Sequence, residues 1–166
     1  MSNTIKDKQF FLGGKDKDGN LKGKAIFTIE VPTAFASQYD TKPHYTYKIN
    51  YKAASGNYRE NWFINLLSGP DNQSDYTYVG MLVNGQVQLS KASKYTKDSW
   101  PVKILNRVLA CYWAGEQNKI MAAGWNVHHE GACCVCGKPL TRPDSINAGI
   151  GPDCATRQLC LIETVV

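Results

Sequence analysis

Five of the six cysteines of this 166-residue chain stand between residues 133 and 160, and two of its three histidines, His128 and His129, stand just upstream. The first 110 residues contain no cysteine. Such a cluster commits the C-terminal segment to a turn-rich fold closed around a metal ion. The spacing Cys133-x-x-Cys136 suits a tight turn that offers two thiolates to one tetrahedral zinc, at sulfur–metal distances of about 2.3 Å. Gly137 follows, and a glycine takes the positive φ of a zinc knuckle without steric penalty. Cys154 comes after Gly151-Pro152-Asp153, which predicts a helix start with proline in its first turn, where the helix dipole favours a thiolate. Knuckle, hairpin and helix-borne ligand together describe a treble-clef-like finger over residues 128–166.

The fourth ligand is chosen by spacing. His129 stands in a His-x-x-x-Cys relation to Cys133 and is the expected donor, which gives one structural zinc held by His129, Cys133, Cys136 and Cys154. His128 and Cys134 are the neighbours most easily mistaken for ligands. Cys160 lies six residues beyond Cys154, about 240° round a helix, and would face elsewhere. The competing reading is a set of buried cysteines without metal. A disulfide framework fits less well, because no secretory leader is recognisable and thiols stay reduced in a cytosol.

The run His129-Glu130-Gly131-Ala132-Cys133-Cys134-Val135-Cys136-Gly137-Lys138-Pro139-Leu140-Thr141, with Gly149-Ile150-Gly151-Pro152-Asp153-Cys154, resembles the C-terminal finger of a family of small, uncharacterised phage and prophage proteins. That family shows His-Glu-Gly-x-Cys-x-x-Cys-Gly-Arg-x-Leu-Thr and then Gly-Ile-Gly-Pro-x-Cys, and Lys138 stands where its arginine is usual. Residues 62–80, Trp62 to Gly80, resemble the family's first half. The resemblance implies a phage origin and the same four ligands. It implies no reaction.

The rest of the chain reads as one α+β protein. Apolar residues make up 43% and charged residues 20%, a globular balance. No apolar run approaches the roughly 20 residues that span a bilayer, and with no recognisable signal sequence the expected location is the cytoplasm of a host cell. Residues 1–24 predict a polar, basic arm or an early hairpin, with Lys15, Lys17, Lys22 and Lys24 clustered. Residues 25–127 predict an antiparallel sheet of about five strands, which an OB-like barrel would close, and one covering helix. Period-two alternation marks strands from Ala25 to Val31, Tyr45 to Tyr51, Asn61 to Leu67, Tyr76 to Val83 and Gln86 to Ser90, with Asn84-Gly85 as a hairpin turn. Ser99 is positioned to cap a helix from Pro101 whose stripe is Val102, Leu105, Leu109 and Tyr112, stopped by Gly115.

Motifs for catalysis are missing. His128-x-Glu130 and Cys133-x-x-Cys136 are too close together for the two helices of a nucleobase deaminase, and a fully ligated zinc leaves no open position for an activated water. An enzyme of unrecognised type is the remote alternative. The leading expectation is nucleic-acid binding, preferably to single strands. The net charge is +5, with ten basic against six acidic residues in 1–60 and three against four in 128–166. Tyr45, Tyr47 and Tyr51, with Trp62, Tyr76 and Tyr78, interleave with Lys42, Lys48, Lys52 and Arg59. Aromatic faces of this kind stack bases while cations track phosphates. Tyrosines at period two also form the rim of an ordinary core. The competing function is a protein-binding inhibitor of a host defence protein, since aromatic surfaces suit protein interfaces equally well.

Overall fold

The computed structural model describes residues 3–71 and 74–157. A short helix α1 (Gln9–Leu12) leads into a small hairpin, β1 (Gly14–Lys15) with β2 (Leu21–Lys22). The main sheet contains β3 (Lys24–Glu30), β4 (His44–Lys52), β5 (Asn61–Leu67), β6 (Tyr76–Val83), β7 (Gln86–Gln88) and β8 (Asn126–His129). Helix α2 (Thr33–Tyr39) joins β3 to β4, while α3 (Trp100–Trp113) and α4 (Gln117–Ala122) fill the long return from β7 to β8. A last short helix, α5 (Pro143–Ala148), precedes a helical segment at residues 152–157.

The main sheet is antiparallel throughout, in the order β7-β6-β5-β4-β3-β8. It has six strands rather than about five, and its end strands β7 and β8 do not pair, so it curls without closing into a barrel. The added strand is β8, whose four residues are too few to show alternation. Its place beside β3 is set by cross-strand pairing, Phe27 opposite His129 and Thr28 opposite His128.

One face of the sheet carries the core. Phe27, Ile29, Tyr47, Ile49, Ile64 and Val127 are fully buried there under α3, which contributes Val102, Ile104, Leu105, Val108, Leu109 and Tyr112. Two phenols tie the layers: Tyr47 Oη donates to Pro101 O at 2.7 Å, and Tyr112 Oη donates to Ile5 O at 2.7 Å. The predicted Ser99 cap is replaced, because its hydroxyl turns back to accept from Thr96 N at 3.0 Å and makes no bond to the helix. At Asn84 and Gly85 φ is positive, +52° and +78°, as the hairpin reading required. Residues 3–24 are more than a polar arm: Ile5, Phe10 and Phe11 enter the core, and the Phe11 ring meets Phe27 and Tyr112 edge-on.

The opposite face is half exposed. A bulge on β6 governs what it carries: Ile64 pairs with Gly80 but Asn65 pairs with Tyr78, which leaves Val79 as the extra residue. An inserted residue moves everything beyond it to the other side of a strand. Val79 therefore goes into the core, and Tyr76 and Tyr78 face outward with Lys48, Asn65 and Phe63.

Candidate metal centre

The C-terminal segment is built on the end of the sheet. Lys24 N donates to Cys134 O at 2.8 Å, which binds the first residue of β3 to the knuckle, and Cys134 N donates to Gly149 O at 3.1 Å, which binds the knuckle to the end of α5. Within the knuckle Gly137 N donates to Cys133 O at 2.9 Å and Cys133 N to Lys138 O at 2.8 Å, with Gly137 at φ +78°. Residues 152–157 then carry Cys154 back over the turn. Gly149 takes φ +74°, which favours glycine, and a Cβ there would press on the Phe10 ring at 3.0 Å. Cys133, Cys134, Val135 and Cys154 join the same buried cluster as the sheet residues.

This arrangement brings three of the four expected ligands together. The sulfurs of Cys133, Cys136 and Cys154 lie within 4.8 Å of one another, and this is the group among the described residues that can hold a metal ion. Cys133 and Cys154 are buried and Cys136 is exposed. Burial by itself raises a thiol, but the backbone N–H groups of Gly151, Cys136 and Val135 point at Cys133 Sγ and hold it below the usual thiol range. Burial and then the neighbouring Cys133 charge push the Cys154 thiol up to about 12. Three thiols so close cannot all ionise without a cation among them, and a soft divalent ion supplies that charge.

His129 is not among them. Strand alternation turns its ring into the core, where it is 1% exposed and stacks on Phe10. Both ring nitrogens are engaged by backbone: Nδ1 accepts from Gly131 N at 3.0 Å, and Nε2 bonds to Ile146 O. That pattern matches a ring with its proton on Nε2 and leaves no lone pair for a metal. His129 instead fastens the loop before the knuckle to α5. The spacing to Cys133 suggested a ligand because sequence separation says nothing about which face of β8 each histidine takes. The donors that the fold brings together are thus three thiols. His128 faces the other side, between Glu30 and Glu130 at 3.4 and 3.7 Å. Cys134 points into a separate depression with Phe10 and Ile150, and burial raises its thiol. Cys160 lies outside the described residues.

The residues expected to bind nucleic acid are divided. Tyr47 is fully buried and Tyr45 is 7% exposed, both on the core face, so neither offers a ring to a base. Tyr51 packs on Trp62 on that same face, with its hydroxyl on Glu60. Lys48 points to the open face, its Nζ 4.1 Å above the Tyr76 ring. Lys52 ends β4 and Arg59 lies beyond it, both exposed, whereas Lys42 stands before the other end, about 30 Å away along an extended strand. These cations are one stripe in sequence and separate sites in space.

A different set of cations gathers at the metal centre. Two adjoining depressions share Asp16, Lys22, Cys136, Cys154 and Arg157. The first continues over the thiols to Lys17, Lys138 and Arg142; the second continues to Lys24, Lys48 and Asn50 at the edge of the open sheet face. Asp16 pairs with Lys22 at 3.4 Å, whereas Lys24 and Lys48 have no carboxylate partner among the described residues. Burial and then the Lys24 charge hold Lys48 below the usual lysine range. The basic run of residues 15–24 was visible in sequence, but its docking against the knuckle was not.

Residues 127–159 match the family model DUF6011, a family of unknown function. No curated protein and no solved structure matches the chain. Among the described residues no helix is long and apolar enough to cross a membrane.

Proposed function

We propose that this is a small zinc-binding accessory protein of phage type that binds nucleic acid, single strands by preference. Zinc is the ion that three clustered thiolates suit best, and its binding free energy is at the same time folding free energy for the segment around it. In this reading Cys133, Cys136 and Cys154 hold the ion and the ion holds the groove, because the groove's walls are the knuckle and the β1–β2 hairpin. The phage assignment rests on the resemblance of residues 129–154.

The observation that carries the nucleic-acid reading is the cation set of the groove. Lys22, Lys24, Lys48 and Arg157 line one depression with a single carboxylate, Asp16. Lys24 and Lys48 repel each other, and a polyanion laid between them relieves that repulsion and releases counterions. Fluorescence anisotropy with a labelled oligonucleotide at low and moderate salt tests this. Lys24→Glu and Lys48→Glu should each weaken binding to every sequence and reduce the salt slope by about 1, while Lys42→Glu at the far end of β4 should change little. Absence of binding at low salt would overturn the reading and leave the host-protein inhibitor as the better account.

A further inference from the structure

The groove opens onto the uncovered face of the sheet, and the chemistry of that face changes with distance from it. Next to the groove are Lys24 and Lys48 on β3 and β4; beyond them are the rings of Phe63, Tyr78 and Tyr76 on β5 and β6. Asn65 stands between Lys48 and Tyr78 in one paired row across the strands. Phe63 and Tyr78 lie side by side on this face, centroids 6.2 Å apart and planes at 52°, and both are half-buried. Adjacent strands are about 4.8 Å apart, so the strip begins one strand from Lys48, whose ammonium already reaches the Tyr76 ring at 4.1 Å.

Charge complementarity decides what this face accepts. A protein partner of ordinary composition does not bring a row of negative charges to one edge and flat apolar surfaces to the other. A single strand does, with phosphates on one side of each sugar and an unpaired base on the other. A duplex brings the phosphates but hides its base faces. Resting on the nucleic-acid reading above, we infer that an unpaired strand lies across this face with its bases stacked on Phe63, Tyr78 and Tyr76 and its phosphates against Lys24 and Lys48. Lys48 covers the Tyr76 ring in the free protein. Arrival of a phosphate draws the ammonium away and exposes that ring to a base.

The experiment compares two labelled strands of equal length, an oligothymidylate and an abasic deoxyribose phosphate, binding to the full chain in its zinc-loaded form. Base stacking predicts that the abasic strand binds at least about tenfold more weakly at the same salt. Phe63→Ala and Tyr78→Ala should each weaken oligothymidylate binding on the order of tenfold, leave the slope of affinity against salt unchanged, and leave the abasic strand unaffected. Equal affinity for the two strands would overturn the stacking surface while charge-driven binding stands. Failure of both strands to bind at low salt would remove both the surface and the reading beneath it. Should a variant not fold, the comparison of the two strands on the unaltered protein decides alone.

Discussion

His128 and His129 are chemically identical neighbours with opposite roles, and the cause is the two-residue period of a strand. On β8, His129 turns into the core and spends both nitrogens on Gly131 and Ile146, while His128 turns outward between two glutamates. The expected consequence is separable by substitution. His129→Asn should lower stability by about 1 to 3 kcal/mol, because buried backbone groups lose their partner, yet the folded fraction should still contain one zinc per chain by elemental analysis. Cys136→Ser should lose metal and stability together, although Cys136 is exposed and contributes little packing. The thiols must shed protons to bind, and Cys154 is held up to about 12. Zinc affinity should therefore fall as pH is lowered, with proton release detectable when metal is added to weakly buffered apoprotein.

Elements differ in what supports them. Strands β4 and β5 are paired on both sides and their core residues Tyr47, Ile49 and Ile64 are fully buried. The knuckle and α5 rely on a few turn hydrogen bonds and on the thiol cluster. Chelation should open the structure unevenly: amide exchange should accelerate over residues 131–149 while amides at the centres of β4 and β5 keep most of their protection. Uniform loss of protection would mean that metal and sheet fold as one cooperative unit. The edge strand β7 shows how the fold protects an exposed ladder, since Asn106 Oδ1 on α3 accepts from Val87 N at 2.8 Å.

At the scale of the whole molecule, aromatic burial sets an alkaline limit on stability. Tyr47 is fully buried, and burial, followed by the neighbouring Tyr45 and Tyr95, raises its phenol well above the ordinary value of 10.0. A group whose folded pKa is raised contributes stability below its unfolded value and loses it as pH climbs toward the folded one. The urea midpoint should decline once pH passes about 10, and Tyr47→Phe should make that decline shallower. The same variant should be less stable at neutral pH by about 1 kcal/mol, having lost the bond to Pro101 O.

Local chemistry fixed the thiol knuckle, the main strands and the long helix from the sequence alone. Cys133-x-x-Cys136-Gly137 has the spacing and the glycine of a knuckle turn, alternation over seven to nine residues declares a strand, and the stripe from Val102 to Tyr112 declares a helix face. Three things depended on tertiary structure. The pairing of β8 with β3 sent His129 away from the thiols, because a four-residue edge strand has no pattern of its own. The bulge beside Ile64 turned Tyr76 and Tyr78 outward while Tyr45 and Tyr47 went in, because one extra residue reverses the facing of a strand and leaves no mark in its composition. The joining of β3 to the knuckle gathered Lys22, Lys24, Lys48 and Arg157 around one groove, because charges distant in sequence come side by side only when backbone hydrogen bonds such as Lys24 N to Cys134 O hold their segments together.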